Sequence, residues 1–316
     1  MTVVPANDQA IAEAASRLRA GGLVAFPTET VYGLGADATQ GRAVAAVFAA
    51  KGRPQFNPLI VHVAVVEVAR RLGVFDPLAE KLAAAFWPGP LTLVVRRAEN
   101  CAVAELATAG LETIALRVPA HPVANALLRA AVVPVAAPSA NRSGHVSATR
   151  AAHVLADFGS DIATILDGGS AEVGLESTVV DATGAKPALL RLGAVTAEQI
   201  ADVCGIVPDR AFDGGAHPAS PGQLLSHYAP RAAVRLNASS VGQGEGLLAF
   251  GAARLATAGP VFNLSASGNL GEAAANLFAG LRSLDATGVA VIAAMPIPQI
   301  GLGEAINDRL SRAARR

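Results

Sequence analysis

Apolar and polar residues alternate along the first two thirds of the chain with two different periods. Short apolar runs next to glycine or proline predict buried strands over residues 23–26, 59–63, 91–96, 113–118, 132–136, 163–166 and 178–181. Apolar positions three or four residues apart predict helices over residues 7–20, 42–50, 77–86, 122–131, 149–158 and 196–203. This alternation indicates an α/β domain with a large, mixed sheet.

The pattern changes after residue 207. Residues 208–230 are rich in glycine and proline and have few periodic apolar positions, so they predict a linker. Strands are then predicted over residues 233–236, 246–250 and 288–293, and helices over residues 272–284 and 304–314. We therefore expect a large domain over residues 1–207, a linker over 208–230 and a smaller α/β domain over 231–316.

The composition excludes several classes of protein. Hydrophobic residues make up 52% of the chain and charged residues 16%, which is too apolar for a disordered protein. Prolines at 296 and 298 interrupt the longest uncharged stretch, so no membrane-spanning helix is expected. The first residues lack a secretory pattern, and we expect a cytoplasmic protein. Because Cys101 and Cys204 are isolated, we expect neither a disulfide nor a zinc site.

Three polar clusters follow predicted strands, where α/β proteins usually bind ligands. The first, residues 27–35, reads PTETVYGLG and gathers hydroxyl groups, a carboxylate and a phenol. The third, residues 137–149, is rich in serine and ends where a predicted helix begins. Hydroxyl groups and backbone amides at such a place suit phosphate or adenine. Each cluster also fits a polar turn whose side chains bond to nearby backbone.

The second cluster, residues 51–59, reads KGRPQFNPL. Lys51 and Arg53 could hold several oxygens of a polyphosphate, although basic residues also suit the end of a helix. His62 alternates with Val61 and Val63, so it lies on the opposite face of its strand. A lone strand histidine is more often a core or surface residue than a ligand. A P-loop and a GxSxG elbow are both missing, so a nucleotide would need a different site.

The charge distribution leaves one alternative of a different class. The net charge is zero, which argues against a surface built to hold nucleic acid. Residues 51–150 nevertheless carry 11 basic and 6 acidic side chains, which would fit a basic cavity or an RNA-binding, ribosome-associated module. An aromatic content of 4% without aromatic and basic residues interleaved counts against the RNA-binding module.

Taken together, the clusters resemble the threonylcarbamoyl-AMP synthase family, the YrdC-like enzymes, in its long two-domain form. That family carries the motifs PTETVYGLG, KxRP…NPL, SANxSG, GxxSTVVD and RxG, which here are residues 27–35, 51–59, 139–144, 174–181 and 191–193. The SPGxxxxHYAP linker of the long form is present as residues 220–230. The resemblance therefore covers essentially the whole chain.

The resemblance implies a YrdC-like domain with a large twisted mixed sheet, followed by a Rossmann-like domain. It implies an enzyme that condenses L-threonine, bicarbonate or CO2, and ATP into L-threonylcarbamoyladenylate and releases pyrophosphate. The product would feed a machinery that modifies tRNA next to the anticodon, and a weak contact with RNA is compatible with this role. Mg²⁺ would accompany ATP, held mainly by phosphate oxygens and water, with no metal site of the protein's own.

Roles are carried over motif by motif. Contacts with threonine are implied for Thr30, His62, Arg117, Ala137 and Ser177. Contacts with ATP are implied for Arg53, Asn57, Thr113, Ser139, Asn141, Ser147, Arg191 and Tyr228. Lys51 and Arg53 are expected to be catalytic, forming with Arg191 a cationic clamp on negative charge that develops during the reaction.

Two points stay open at this stage. The linker is expected to close over the site as a lid, but residues 223–225 read QLL where some members carry basic residues. A relative that uses carbamoyl phosphate in place of threonine is the enzymatic alternative. Such relatives usually belong to longer chains with acylphosphatase or zinc modules, which this sequence lacks.

Overall fold

The computed structural model describes residues 2–212, 228–253 and 255–315. Within these ranges the chain forms two sheets with helices packed on them. The α-helices described are α1 Asp8–Arg19, α2 Gly41–Lys51, α3 Val66–Leu72, α4 Pro77–Phe86, α5 Glu105–Thr108, α6 Pro122–Ala131, α7 Ala151–Phe158, α8 Ala197–Cys204, α9 Leu270–Ala286 and α10 Leu302–Ala313.

The first sheet has eleven described strands. They are β1 Thr2–Pro5, β2 Val24–Phe26, β3 Gly33–Asp37, β4 Ile60–His62, β5 Leu91–Arg96, β6 Thr113–Arg117, β7 Val135–Ala136, β8 Thr164–Asp167, β9 Thr178–Asp181, β10 Ala188–Arg191 and β11 Asp209–Arg210. Their order across the sheet is β1-β8-β2-β3-β7-β4-β6-β5-β9-β10-β11. Parallel pairs such as β4 with β6 stand beside antiparallel pairs such as β5 with β6, so the prediction of a large mixed sheet is confirmed.

The two faces of this sheet have different neighbours. Val61 and Leu116 belong to the main hydrophobic core, which includes side chains of α2 and α4. Ile60 and Ala115, each next to one of these residues, point to the other face. Helices α1 and α6 cover part of that second face, where they pack on β2, β7 and β8. The rest of the second face is where polar side chains gather.

The second sheet has four described strands, all parallel, in the order β12-β15-β13-β14. They are β12 Ala233–Arg235, β13 Glu245–Ala249, β14 Val261–Asn263 and β15 Val291–Ala294. Side chains of α9 and α10 complete its core, which also takes in Val31, Val146 and Leu175 from the first part of the chain. The predicted second α/β unit is confirmed, and its hydrophobic core is shared with the first.

Some predicted elements differ in extent. Residues 33–35, expected in a loop, belong to the buried strand β3. Strand β7 covers only two residues of the five that were predicted, and β1, β10, β11 and β14 were not predicted. Strand β11 falls in the predicted linker, where its two residues pair with β10 and so extend the first sheet. Residues 213–227 of the expected lid lie outside the described residues, so the lid and the domain limits stay predictions.

In the parts of the chain that the structure describes, no helix combines the length and apolar character needed to cross a bilayer. Cys101 and Cys204 are both free cysteines.

Candidate active site

A pocket opens beside the part of the first sheet that α1 and α6 cover. It draws on the ends of several strands and on all five motifs that the sequence singled out. Its lining residues are Thr28, Thr30, Val31, Gly33, Arg53, Ile60, His62, Arg117, Ala137, Pro138, Ser139, Glu176, Ser177, Arg191 and Tyr228. Segments far apart in the sequence therefore meet at a single polar site.

Arg117 forms one wall of the pocket. The parallel register of β4 and β6 pairs Arg117 with His62, so both side chains leave the same face of the sheet. The Arg117 guanidinium donates to Thr30 Oγ1 at 2.9 Å and to Glu29 Oε1 at 2.6 Å. These bonds fix the loop after β2 against β6, and they orient a cation toward the pocket.

Glu29 is the buried partner of this cation. Its side chain is 8% exposed and that of Arg117 is 4% exposed, so water solvates neither charge well. Burial acts to raise the pKa of the Glu29 carboxyl, but the facing Arg117 outweighs it and the pKa lies below its ordinary value. Glu29 is thus ionised at neutral pH and holds Arg117 in one position.

His62 reaches the pocket as a neutral imidazole. Burial, followed by the neighbouring Arg117, lowers its pKa to about 3. Its Nδ1 atom is buried and has no hydrogen-bond partner among the described residues. A neutral ring whose Nδ1 lacks a partner can donate a hydrogen bond to a polar ligand or accept one from it, depending on the tautomer. It cannot supply positive charge near pH 7.

Ser177 and Arg191 form the opposite wall. The Arg191 guanidinium donates to the backbone oxygen of Ser177 at 3.0 Å and to its Oγ at 3.1 Å. Ser177 Oγ also lies 2.7 Å from Thr92 Oγ1. The end of β10 is therefore tied to the residues that precede β9, and this places a second cation beside the pocket.

Arg53 supplies a third cation. Its guanidinium donates to the backbone oxygens of Asn57 at 3.2 Å and Pro58 at 2.9 Å, which closes the loop after α2 on itself. Burial and the nearby Arg191 lower its pKa from the ordinary value. A guanidinium nevertheless stays charged at neutral pH. Two like charges in a buried wall favour an anionic ligand between them.

The comparisons with known proteins agree with this geometry. A family model described as "Telomere recombination", that of Sua5, YciO and YrdC, matches residues 16–193. The chain belongs to the Sua5/YciO/YrdC family. A second family model, described as "Threonylcarbamoyl-AMP synthase, C-terminal domain", matches residues 195–315.

Two members of the family are similar to this chain over nearly its whole length, and a shorter one is similar to part of it. A threonylcarbamoyl-AMP synthase of Bacillus subtilis (strain 168) is 43% identical, over 98% of this chain and 94% of the relative. The crystal structure of Pyrococcus abyssi Sua5 complexed with L-threonine superposes with a TM-score of 0.90 at 41% identity, covering 98% of this chain and 95% of that one. A shorter relative from Mycobacterium tuberculosis (strain ATCC 25618 / H37Rv) is 44% identical, over 63% of this chain and 91% of its own length.

The pocket brings together nine of the fourteen residues to which the family resemblance gave a role. All five residues predicted to contact threonine line it, as do four of those predicted to contact ATP. Lys51, Asn57, Thr113, Asn141 and Ser147 are not among its lining residues. The roles themselves stay predictions, because a residue that lines the pocket need not contact the ligand.

Lys51 lies behind the pocket wall. Its ammonium is buried and donates to the backbone oxygens of Ser139, at 2.6 Å, and of Asn141. Burial, with Arg53 and Arg142 nearby, lowers its pKa well below the ordinary value. This position differs from the expected clamp on phosphates, because the ammonium is already engaged with the loop that carries Ser139.

Of the other four residues, Asn57, Asn141 and Ser147 lie next to residues of the wall, and Thr113 lies farther away. Ser147 Oγ donates to Glu176 at 2.5 Å, and Asn141 Nδ2 donates to two backbone oxygens, those of Arg142 and His145. Asn57 is buried, and its Oδ1 has no partner among the described residues. Thr113 begins β6, on the same face as Arg117 but at the far end of the strand.

Sequence reasoning missed Glu29 and Glu176 as parts of the site. Both stand inside motifs that were recognised, each directly before a residue that received a role, Thr30 and Ser177, so the motifs themselves carried the signal. Glu176 accepts from Ser147 and from Arg309 of α10, at 2.9 Å. Burial acts to raise the pKa of this carboxyl, but the effect of Arg309 and Arg191 is larger, and the pKa lies below its ordinary value. Glu176 is therefore ionised at neutral pH.

Proposed function

We propose that this pocket makes L-threonylcarbamoyladenylate from ATP, L-threonine and CO2 or bicarbonate, with release of pyrophosphate. The observation that carries the proposal is the meeting of all five motifs in one pocket, whose lining includes the buried cations Arg53, Arg117 and Arg191. Membership of the family and similarity to named threonylcarbamoyl-AMP synthases support it.

The threonine side is the wall of Arg117, Thr30 and His62, with Ala137 and Ser177 near it. Arg117 is suited to the carboxylate of the amino acid, because a guanidinium fork matches two carboxylate oxygens. The neutral His62 and the hydroxyl of Ser177 are suited to the hydroxyl and amine groups. Arg53, Ser139, Arg191 and Tyr228 form the nucleotide side.

The reaction proceeds in two bond-forming steps. The amine nitrogen of threonine bonds to the carbon of CO2 and loses a proton, which gives a carbamate. A carbamate oxygen then attacks the α-phosphorus of ATP, and the bond from that phosphorus to pyrophosphate breaks. Neither step needs an enzyme nucleophile, so the protein contributes orientation and cations that stabilise the spreading negative charge.

Arg53 and Arg191 are the cations on the nucleotide side of the pocket. Both are held by backbone oxygens, so they need little reorganisation when a triphosphate binds. Lys51, to which the sequence gives a catalytic part, would contribute by fixing the Ser139 loop.

Mg²⁺ enters this proposal as a companion of ATP. Among the described residues no three His, Cys, Asp or Glu side chains converge on a place for a metal ion. The pocket carboxylate Glu176 is already engaged by Ser147 and Arg309. Phosphate oxygens and water would therefore hold the ion, as is usual for Mg²⁺ with nucleotides. Chelation with EDTA should stop pyrophosphate release, and added Mg²⁺ should restore it.

The product would serve the enzymes that transfer threonylcarbamoyl to the adenosine next to the anticodon of tRNA. The cytoplasm is the compartment this implies, since ATP and tRNA are both present there. A weak contact of the chain with RNA belongs to the same proposal and can be tested by adding tRNA to the assay below.

The deciding experiment measures pyrophosphate with purified protein, ATP, Mg²⁺ and bicarbonate, adding one amino acid at a time. We expect release with L-threonine and only background with L-valine, which has the same shape but no hydroxyl. Release that needs no amino acid, or that carbamoyl phosphate supports in place of threonine and bicarbonate, would contradict the proposal.

A further inference from the structure

Arg309 of α10 is a fully buried arginine at the junction of the two sheets. Its side chain is 0% exposed, although it belongs to the second α/β unit and does not line the pocket. Nε donates to Glu176 Oε2 at 2.9 Å, Nη2 donates to the backbone oxygen of Leu192 at 2.7 Å, and Nη1 donates to Asp308 at 2.7 Å. Two of these three acceptors belong to the first unit.

The same guanidinium also lies over an aromatic ring. Its Cζ is 5.0 Å from the centre of the Tyr228 ring, a cation–π distance. The other neighbour of this ring is Phe278 of α9, with centroids 5.5 Å apart and planes inclined by 24°. Tyr228 thus lies between the pocket and two side chains of the second unit.

These contacts converge on one wall of the pocket. Glu176 and Tyr228 line the pocket directly. Leu192 follows Arg191, whose guanidinium holds Ser177. A single side chain therefore contacts the lining residues Glu176 and Tyr228 directly and holds Arg191 through the backbone of its neighbour Leu192.

We propose that Arg309 is a positioning residue for the adenylation reaction, through which the second unit sets the nucleotide side of the pocket. The inference rests on the proposed function, and it assigns no contact between Arg309 and substrate. Arg309 acts through Arg191 and Tyr228, whose separation from Arg53 decides how well a triphosphate fits.

Packing alone does not account for an arginine at this place. The surrounding core includes Tyr228, Leu277, Phe278 and Leu310, which would accept an apolar side chain. A buried ion pair is seldom more stabilising than apolar residues of the same volume, since both charges must leave water. What arginine adds is a planar group that donates in three directions at once and also stacks on a ring.

Docking of the two units is served by a second arginine, which provides a control. Arg282 of α9 donates to both carboxylate oxygens of Asp157, at 2.9 and 2.7 Å. It also donates to the backbone oxygens of Val146 and of Ser147, the latter at 3.2 Å. Among the described contacts, Arg282 reaches the pocket wall only through the backbone of Ser147, whose hydroxyl donates to Glu176. Its loss should therefore loosen docking with a much smaller effect on the wall than the loss of Arg309, which contacts Glu176 and Tyr228 directly.

The experiment compares full-length variants Arg309→Lys, Arg309→Met, Arg282→Lys and Arg282→Met. Pyrophosphate release is measured while ATP and threonine are varied separately. We expect Arg309→Met to raise the KM for ATP by about 10- to 100-fold, the effect of a shift of about 1 Å in positioning groups. The KM for threonine should change by no more than about twofold. Arg309→Lys should recover part of the loss.

A pH profile gives a readout that a merely structural role would not change. The groups that face Glu176 are Ser147, Arg191, Tyr228 and Arg309. Arg309 has the largest of the effects that lower the pKa of the Glu176 carboxyl, so its loss raises that pKa relative to the wild type, while Arg191 and Ser147 remain. The acid limb of activity should therefore move to higher pH in Arg309→Met, and it should return toward the wild-type position in Arg309→Lys.

Several outcomes would overturn the inference. One is an ATP KM and pH profile in both Arg309 variants that match the wild type. Another is an equal rise in ATP KM in the Arg282 variants, which would make docking the cause. Loss of cooperative unfolding in ligand-free Arg309→Lys would make Arg309 a residue of the fold only. Failure of the proposed function is recognised separately, because the wild type itself would then show no threonine-dependent release.

Discussion

At the scale of single residues, the buried pair of Arg117 and Glu29 holds one of the positive charges of the pocket in a fixed position. The carboxylate occupies one edge of the guanidinium, while Thr30 is bonded to another of its nitrogens. Arg117 can therefore face a ligand in one orientation only. Because both partners are buried, neither can be exchanged for water without a large cost.

We expect Glu29→Gln to keep the fold but weaken the hold on Arg117. An amide in place of the carboxylate removes the charge from a bond worth about 1.5–3 kcal/mol. The KM for threonine should rise by about tenfold or more, with a smaller change for ATP. The control is Glu80→Gln in the exposed Arg70–Glu80 pair, whose loss should cost less than about 1 kcal/mol. An unchanged threonine KM in Glu29→Gln would show that the pair does not orient Arg117.

His62 makes the stability of the protein depend on pH. The folded protein lowers the pKa of His62 to about 3, against roughly 6.5 for a free imidazole. Below pH 6.5 the unfolded chain binds a proton that the folded chain does not, so the free energy of unfolding falls as the pH falls. From pH 7 to pH 5 this loss is about 2 kcal/mol.

His62→Gln should remove that part of the dependence. Urea unfolding at pH 7, 6 and 5 should give a smaller slope of stability against pH in this variant than in the wild type. A slope in His62→Gln equal to that of the wild type would contradict the buried neutral state of His62.

At the scale of elements, the end of β10 approaches the start of β9 unusually closely. A Cβ added to Gly193 would lie 2.4 Å from the backbone oxygen of Glu176 and 2.4 Å from the backbone nitrogen of Thr178. Only glycine lets the two segments meet at this distance. The RxG motif thus combines a cation with the space that brings Arg191 to Ser177.

Gly193→Ala should lower the free energy of unfolding by about 1–3 kcal/mol, the range for overpacking. Pyrophosphate release should fall as well, because β10 can relieve the clash only by moving Arg191. Gly41→Ala is the matched control, since a Cβ there meets nothing within 4 Å. Activity at the wild-type level in Gly193→Ala would show that the pocket tolerates this displacement.

The same elements show what the sequence could reveal. Long amphipathic helices such as α4 and α6 match their predicted limits, because periodicity over three turns is a local property. Strand β3 was not predicted because its sequence, GLGAD, lacks the β-branched and aromatic residues that are typical of strands. The strand depends on contacts with its neighbours. The side chains of Phe26 and Val135 pack over Gly35, where a Cβ would lie 2.8 Å from each.

The candidate site divides in a similar way. Motifs marked the loops, and those loops meet in the pocket as the resemblance implied. Arg309 had no motif and no local pattern, because its partner Glu176 is 133 residues away in the sequence. Such a contact arises from the packing of one unit on the other, which no local pattern encodes.

At the scale of the whole molecule, the two units form a continuous structure. Val31 and Leu175 of the first unit belong to the hydrophobic core of the second. A Cβ at Gly174 would lie 2.5 Å from the backbone of α9, at Ala274. Apolar packing, close backbone approach and the Arg282–Asp157 ion pair therefore join the units.

We expect calorimetry of the full chain to show one unfolding transition. ATP and threonine at about 100 times their dissociation constants should each add about 2.7 kcal/mol of stability to the whole transition, since the pocket wall depends on both units. Arg282→Met should lower the transition temperature. Two separate transitions in the wild type, with only one moved by ligands, would contradict this coupling.

The neutral imidazole in the pocket has a consequence for how the enzyme meets changes in its surroundings. His62 stays uncharged, Glu29 and Glu176 stay ionised, and the guanidinium groups keep their protons across the physiological range. The charge distribution of the pocket is therefore constant over this range of pH. When a cell acidifies, what varies is the balance between dissolved CO2 and bicarbonate and the fraction of free amine on threonine. Any dependence of the proposed reaction on pH in this range would then originate in its substrates and not in these side chains.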